Sequence, residues 1–176
     1  MEHIVLGLLI LKSMTIYELN QAFSQGLSMI YAASYGNLQY AVKKLIKNNM
    51  IAFVEKVENG RNKKIYNIKD DGVNHFFKWM MDDIDPKHVE TLMLAKIYFL
   101  GLIESADDKI IIIDKIIDAG NEYSKGLYEV KTATDNLELP DEYLEIAKYQ
   151  FKTLDYGIGT YKFTIEWLMA LRDNIN

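Results

Sequence analysis

The chain contains no cysteine. That absence excludes disulfides, thiolate metal sites and cysteine nucleophiles, and it is compatible with a reducing cytoplasm. A long apolar run is missing as well. Residues 4–11 form a stretch of eight apolar or glycine residues, well short of the roughly 18 that a membrane span requires. The start, Met1-Glu2-His3, is not basic, and Lys12-Ser13 follows without a cleavage pattern, so no secretory signal is read there. A cytoplasmic protein with no membrane partner is expected. Catalytic patterns are also lacking. His3, His75 and His88 are isolated in sequence, and none forms the i, i+4 pair of a helical zinc site. Gly157-Ile158-Gly159 has neither the lysine nor the preceding strand of a phosphate loop. Neither an enzyme nor a bound cofactor or metal is expected.

What is present is a globular balance: 49% hydrophobic and 26% charged residues. The net charge of −5 conceals a division, because residues 1–80 carry +4 and residues 81–176 carry −9. Such an asymmetry suggests a basic binding module joined to an acidic partner domain.

Thr15-Ile16-Tyr17-Glu18 fits a capping box, and Ile16, Leu19 and Phe23 recur at helical spacing, which predicts a helix over about 15–25. Residues 4–11 are either a buried helix or a buried strand, since periodicity does not separate the two. Residues 34–49 are more informative. Leu38, Ala41, Val42, Leu45 and Asn49 share one helical face. Gly36, Asn37, Tyr40, Lys43, Lys44 and Lys47 share the other, and the segment has no acidic residue. Ser34 is a natural N-cap, and Asn48-Asn49 supplies a residue that tolerates the left-handed conformation at the end. Next come β-prone residues 51–57, the hairpin signal Asn59-Gly60, a basic tip Arg61-Asn62-Lys63-Lys64, and an alternation with Tyr66 and Ile68 on one face.

Helices followed by a hairpin are the layout of a winged helix, whose second helix enters the major groove while the hairpin rests on the flanking backbone. Double-stranded DNA is the expected partner. Tyr35, Asn37, Gln39 and Tyr40 are placed for bases or sugars. Ser34, Lys43, Lys44, Arg61, Lys63 and Lys64 are placed for phosphates, with Arg61 or Lys63 in reach of the minor groove. The competing reading is a winged-helix adaptor that binds protein and no DNA.

These residues resemble the PadR family of bacterial regulators. Ile4-Val5-Leu6-Gly7-Leu8-Leu9 is similar to its opening helix, and Tyr17-Glu18-Leu19 to its tyrosine-glutamate-leucine motif. Ser34, Gly36, Leu38, Ala41, Leu45 and Ile51 follow its recognition-helix pattern, and Lys64, Tyr66, Ile68 and Gly72 its wing and the start of the next helix. The resemblance covers about 80 residues well. It implies that residues 4–11 are helical. It also implies a repressor that binds a pseudo-palindromic operator as a homodimer and is released by a small aromatic or hydrophobic effector. Five positions depart from the family pattern: Gln39 then Tyr40 stand for tyrosine then proline, Asn49 and Ile16 for glycine, and Lys69 for threonine.

Asp85-Pro86 marks a boundary, with three helices expected beyond it, over about 87–104, 108–135 and 141–172. In the last, Leu144, Ala147, Phe151, Leu154, Ile158, Tyr161, Ile165 and Leu168 are spaced 3, 4, 3, 4, 3, 4, 3. That is a coiled-coil seam, whose partner helix lies in the same chain or in a second one. Dimerisation is assigned to these eight residues, and Gly157 and Gly159 would permit a close crossing. The aromatics Tyr98, Phe99, Tyr123, Tyr128, Tyr149, Phe151, Tyr156, Phe163 and Trp167 are read first as core and second as an effector pocket. The expected fold is mainly α with a small β-hairpin: a winged-helix domain over 1–83 and a helical, coiled-coil-like dimerisation domain over 84–176.

Overall fold

The computed structural model describes residues 1–27, 35–58, 61–135 and 137–175. The chain divides into two compact units, Met1–Asp82 with Leu94–Gly101, and Asp83–Met93 with Leu102–Asn176. A single boundary at 83/84 was the simplest expectation; the helix over 89–98 contributes instead to both units.

In the first unit, α1 (Glu2–Leu11) is apolar around most of its circumference, and Ile4, Val5, Leu6, Leu8 and Leu9 are all buried. A helix of that kind must be surrounded, which is also why its sequence shows no amphipathic period. It packs against α2, α3, α4 and the sheet. α2 (Ile16–Ala22) opens on the capping box the sequence contains: Glu18 N donates to Thr15 Oγ1 at 3.2 Å, and Thr15 N donates to Glu18 Oε2 at 2.7 Å. The bonds that the Glu18 carboxylate accepts from Thr15 N and, at 2.8 Å, from Thr15 Oγ1 hold its pKa below the usual value. The helix is shorter than expected and continues into a π-helical turn, Phe23–Leu27.

α3 (Tyr35–Lys47) buries Leu38, Ala41, Val42 and Leu45. It stops where Asn49 takes φ = 60°, and Met50 N reaches back to the Leu45 carbonyl at 3.0 Å, a left-handed cap that asparagine tolerates. β2 (Ile51–Glu58) and β3 (Arg61–Ile68) then form an antiparallel hairpin with Ile51 opposite Ile68 and Glu58 opposite Arg61. The expected turn, Asn59-Gly60, lies outside the described residues. A two-residue strand that the sequence did not announce, β1 (Met14–Thr15), pairs with β3 on its other side, giving the order β1-β3-β2.

α4 (Asp70–Met81) buries Phe76, Trp79 and Met80. Its start is set by Gly72, where a Cβ would collide with the Met50 carbonyl oxygen and crowd Ile68 and Leu6. Its end is closed by Lys96 of α5 (Val89–Tyr98), 2% exposed, whose Nζ donates to the carbonyls of Met80 at 3.2 Å and Asp82 at 2.5 Å. A cation there complements the negative end of the helix.

In the second unit, Asp85 caps a 3-10 turn, Pro86–His88, by accepting from Lys87 N at 2.9 Å. Two long helices follow, α6 (Ala106–Asp135) and α7 (Asp141–Asp173). They pair antiparallel: Asp114 meets Arg172 at 3.0 Å, the Tyr123 and Tyr161 rings lie 4.6 Å apart, and Lys131 meets Asp155 at 2.8 Å. Burial, with Glu90 nearby, pushes the Tyr161 phenol up.

The expected seam is therefore filled within the chain. Ala147, Ile158, Tyr161 and Leu168 are buried, Phe151, Leu154 and Ile165 are half-buried, and Leu144 is exposed. The buried positions of this seam face α6 of the same chain, which leaves Leu144 as the one exposed member of the eight. The close crossing expected at the two glycines is not seen: a Cβ at Gly157 would meet Leu127 at an ordinary 3.4 Å, and one at Gly159 would face open space. Gly72→Ala is expected to destabilise the protein by about 1–3 kcal/mol through overpacking, read as a lowered thermal midpoint; an unchanged midpoint would contradict the close approach at Met50.

Candidate nucleic-acid interface

The hairpin's register decides which of its cations can act together with α3. Successive strand residues point to opposite faces, so Lys63 and Lys64, adjacent at the tip, part company. Lys64 and Tyr66 share a face with Phe53 and Glu55, since Phe53 pairs with Tyr66 and Glu55 with Lys64. This face and the exposed flank of α3 together line a groove of about 270 Å³. Gln39, Lys43 and Ile46 stand on the helix side, Phe53, Lys64 and Tyr66 on the hairpin side, and Ile16 and Val42 complete the lining. Lys63 lines a different cleft, with Lys56, Ile65 and residues of α2 including Tyr17, Glu18 and Gln21.

Outward from the groove, α3 presents Tyr35, Asn37, Gln39, Tyr40, Lys43 and Lys47 to solvent, with Tyr40 70% exposed. Tyr66 is buried at the wing's root, and that burial, with Tyr35 nearby, pushes its phenol up. Lys64 Nζ lies 4.2 Å from the centroid of the Phe53 ring and 3.7 Å from Glu55 Oε1. Gln39, Lys43 and Lys64 are thus brought to one surface, flanked by Tyr35 and Tyr40.

Two residues expected at phosphates fall elsewhere. Lys44 turns to the opposite flank of α3, where its Nζ bonds Glu2 Oε1 at 2.8 Å, and this carboxylate holds its pKa up. An ammonium already paired has less to gain from a phosphate. Lys63 lies on the far side of the wing, as described. Ser34 lies outside the described residues, and so does the side chain of Arg61.

Lys44 lines a second cleft, of about 560 Å³, with His3, His75 and Trp79. The histidines, isolated in sequence, meet here across α1 and α4. Their Nε2 atoms are 3.2 Å apart, and His3 stacks on Trp79 with centroids 4.6 Å apart. No sequence signal spans the intervening residues, so only the packing of α1 on α4 reveals the pair. Burial, then His75 and the terminal amine, lower the pKa of His3 to about 4. Among the described residues no group of three or more His, Cys, Asp or Glu is arranged to hold a metal, and no helix is long and apolar enough to cross a membrane.

The first unit, a three-helix core with a β-hairpin beside its third helix, is a winged helix; a helical second unit follows it. No protein-family model matches the sequence, and no curated protein is significantly similar to it. Solved structures of similar fold include Bacillus subtilis PadR in complex with operator DNA, 17% identical, covering 99% of this chain and 98% of that one at a TM-score of 0.47. A protein of Streptococcus mutans UA159, smu.1604c, is 27% identical over 96% of both chains, at a TM-score of 0.45. The PadR-like transcriptional regulator BC1756 from Bacillus cereus is 20% identical, covering 99% of this chain and 95% of that one, at a TM-score of 0.43.

The His3 pair sets a pH dependence for the fold. The unfolded imidazole takes up its proton near pH 6.5 and the folded one only near 4, so acid favours the unfolded chain across that interval. The contribution of a neutral His3 is complete above pH 6.5 and is lost progressively as the pH falls toward 4. The thermal midpoint of the native chain should therefore drop more steeply over this range than that of His3→Asn; parallel slopes would contradict the assignment.

Proposed function

We propose that this chain is a PadR-like transcriptional regulator that binds double-stranded DNA through α3 and the wing. The observation that carries the reading is the groove shared by Gln39 and Lys43 of α3 and Lys64 of β3. Helix cations and wing cations can meet one duplex only if they lie on one surface, and these do. A positively charged helix flank fits the major groove, and a wing ammonium beside it fits the adjoining phosphates.

Phosphate contacts release condensed counterions, each contributing about −0.9 to the slope of log K against log[salt]. The test is titration of a mixed-sequence duplex at several salt concentrations. Lys43→Ala and Lys64→Ala should each flatten the slope by roughly 0.9, and Lys44→Ala by clearly less, because Glu2 already holds Lys44. Binding that is absent, or indifferent to salt, would refute the DNA reading and favour the adaptor.

The reading includes a homodimer, since a pseudo-palindromic operator asks for two recognition helices. With the buried seam of α7 covered by α6, the face available to a second copy is the opposite one. Ile146, Tyr149, Tyr156, Phe163 and Trp167 recur there at spacings of 3, 7, 7 and 4 and are all exposed, Tyr156 at 76% and Phe163 at 67%. The expectation that these aromatics are mainly core does not hold for Tyr149, Tyr156, Phe163 or Trp167, nor for the exposed Tyr98 and Tyr128. Exposed large side chains aligned along one helix are an interaction surface more readily than a solvated one. Sedimentation of Tyr156→Lys combined with Phe163→Lys should shift a dimer to monomer; an unaltered dimer would place the contact elsewhere. Repression, with release by a small aromatic or hydrophobic effector, belongs to the same proposal and rests on the family resemblance.

A further inference from the structure

We propose that Phe53 is a positioning residue of the DNA-binding surface: its ring holds the Lys64 ammonium on the α3 side of the wing, where one backbone phosphate seats between Lys64 and Lys43. The inference rests on the DNA-binding reading and assigns a role to a residue with no charge and no hydrogen-bonding group.

Three observations carry it. The Lys64 ammonium stands 4.2 Å from the ring centroid, within the range at which a ring face attracts a cation. The contact is diagonal across the hairpin, since Phe53 pairs with Tyr66 and Lys64 with Glu55, and diagonal neighbours on one sheet face are within reach of long side chains. Phe53 and Lys64 also line the same groove as Lys43 and Gln39, so the side to which the ring draws the ammonium is the side that faces α3.

Lys64 is also ion-paired with Glu55 at 3.7 Å, but a pair this exposed contributes little and yields readily to a phosphate. A ring restrains the ammonium and leaves it a full positive charge for an anion. Lys64 stays about half exposed, with a side-chain exposure of 51%, so a phosphate can approach from solvent while the ring fixes the other side.

The test compares Phe53→Leu, which keeps apolar volume but removes the ring face, with Phe53→Trp, which keeps it. In the free protein, the Lys64 side-chain methylene protons should show a ring-current shift by NMR that Phe53→Leu abolishes and Phe53→Trp retains. In DNA titrations Phe53→Leu should weaken binding about 2- to 5-fold and flatten the salt slope toward that of Lys64→Ala. Phe53→Trp should restore both. In a Lys64→Ala background, Phe53→Leu should add nothing. Unchanged affinity and slope in Phe53→Leu, or an equal loss in the Lys64→Ala background, would overturn the role of Phe53 while Lys43→Ala still reports DNA binding. A native chain with no salt-dependent binding would overturn both readings together.

Discussion

The two-residue period of a β-strand is the constraint on which the candidate surface depends. Because neighbouring side chains leave a strand on opposite faces, a basic tip does not act as one patch. Lys64 goes with Phe53 and Tyr66 toward α3, and Lys63 goes with Lys56 and Ile65 toward α2. A register slip of one residue would exchange them. The register is held by pairing of β3 on both sides, to β2 along its length and to β1 at Met14 and Thr15. The short strand β1, modest in itself, therefore helps to fix which cation faces α3.

Local signals were legible and distant ones were not. The capping box at Thr15 and Glu18, the left-handed residue at Asn49, the buried face of α3 and the cap at Asp85 all depend on residues within a turn or two of each other. Each formed where its side-chain chemistry placed it. The hairpin register also followed the alternation seen in β3. The pairing of Lys44 with Glu2 and the meeting of His3 with His75 join residues 42 and 72 positions apart. They follow from α1 being wrapped by α3 and α4, which no periodicity of α1 could convey because the helix is apolar nearly all round. Gly72 was legible only as a family motif; its physical reason, the Met50 carbonyl against its α-carbon, needed the packing.

The second unit gives the complementary case. A heptad pattern states that a helix face is buried, without stating by what. In α7 the regular seam meets α6 of the same chain, while a less regular and more aromatic stripe on the other side stays in solvent. Aromatic residues at helical spacing were expected to be core, and those on the α6 side, such as Tyr161, are. The outward set also lies along one helical face and stays exposed in this chain. One helix thus carries two apolar faces: one closes the fold, and the other is the face proposed for a second copy.

Since the chain has no cysteine, single thiols can be introduced without removing any, and a photo-crosslinker attached at position 43 or 64 tests the shared surface most directly. If α3 and the wing meet one duplex through a common groove, Lys43→Cys and Lys64→Cys should both cross-link to it, at nucleotides a few positions apart. Cross-linking from position 43 with none from position 64, or from the two to unrelated stretches of the duplex, would contradict the single surface.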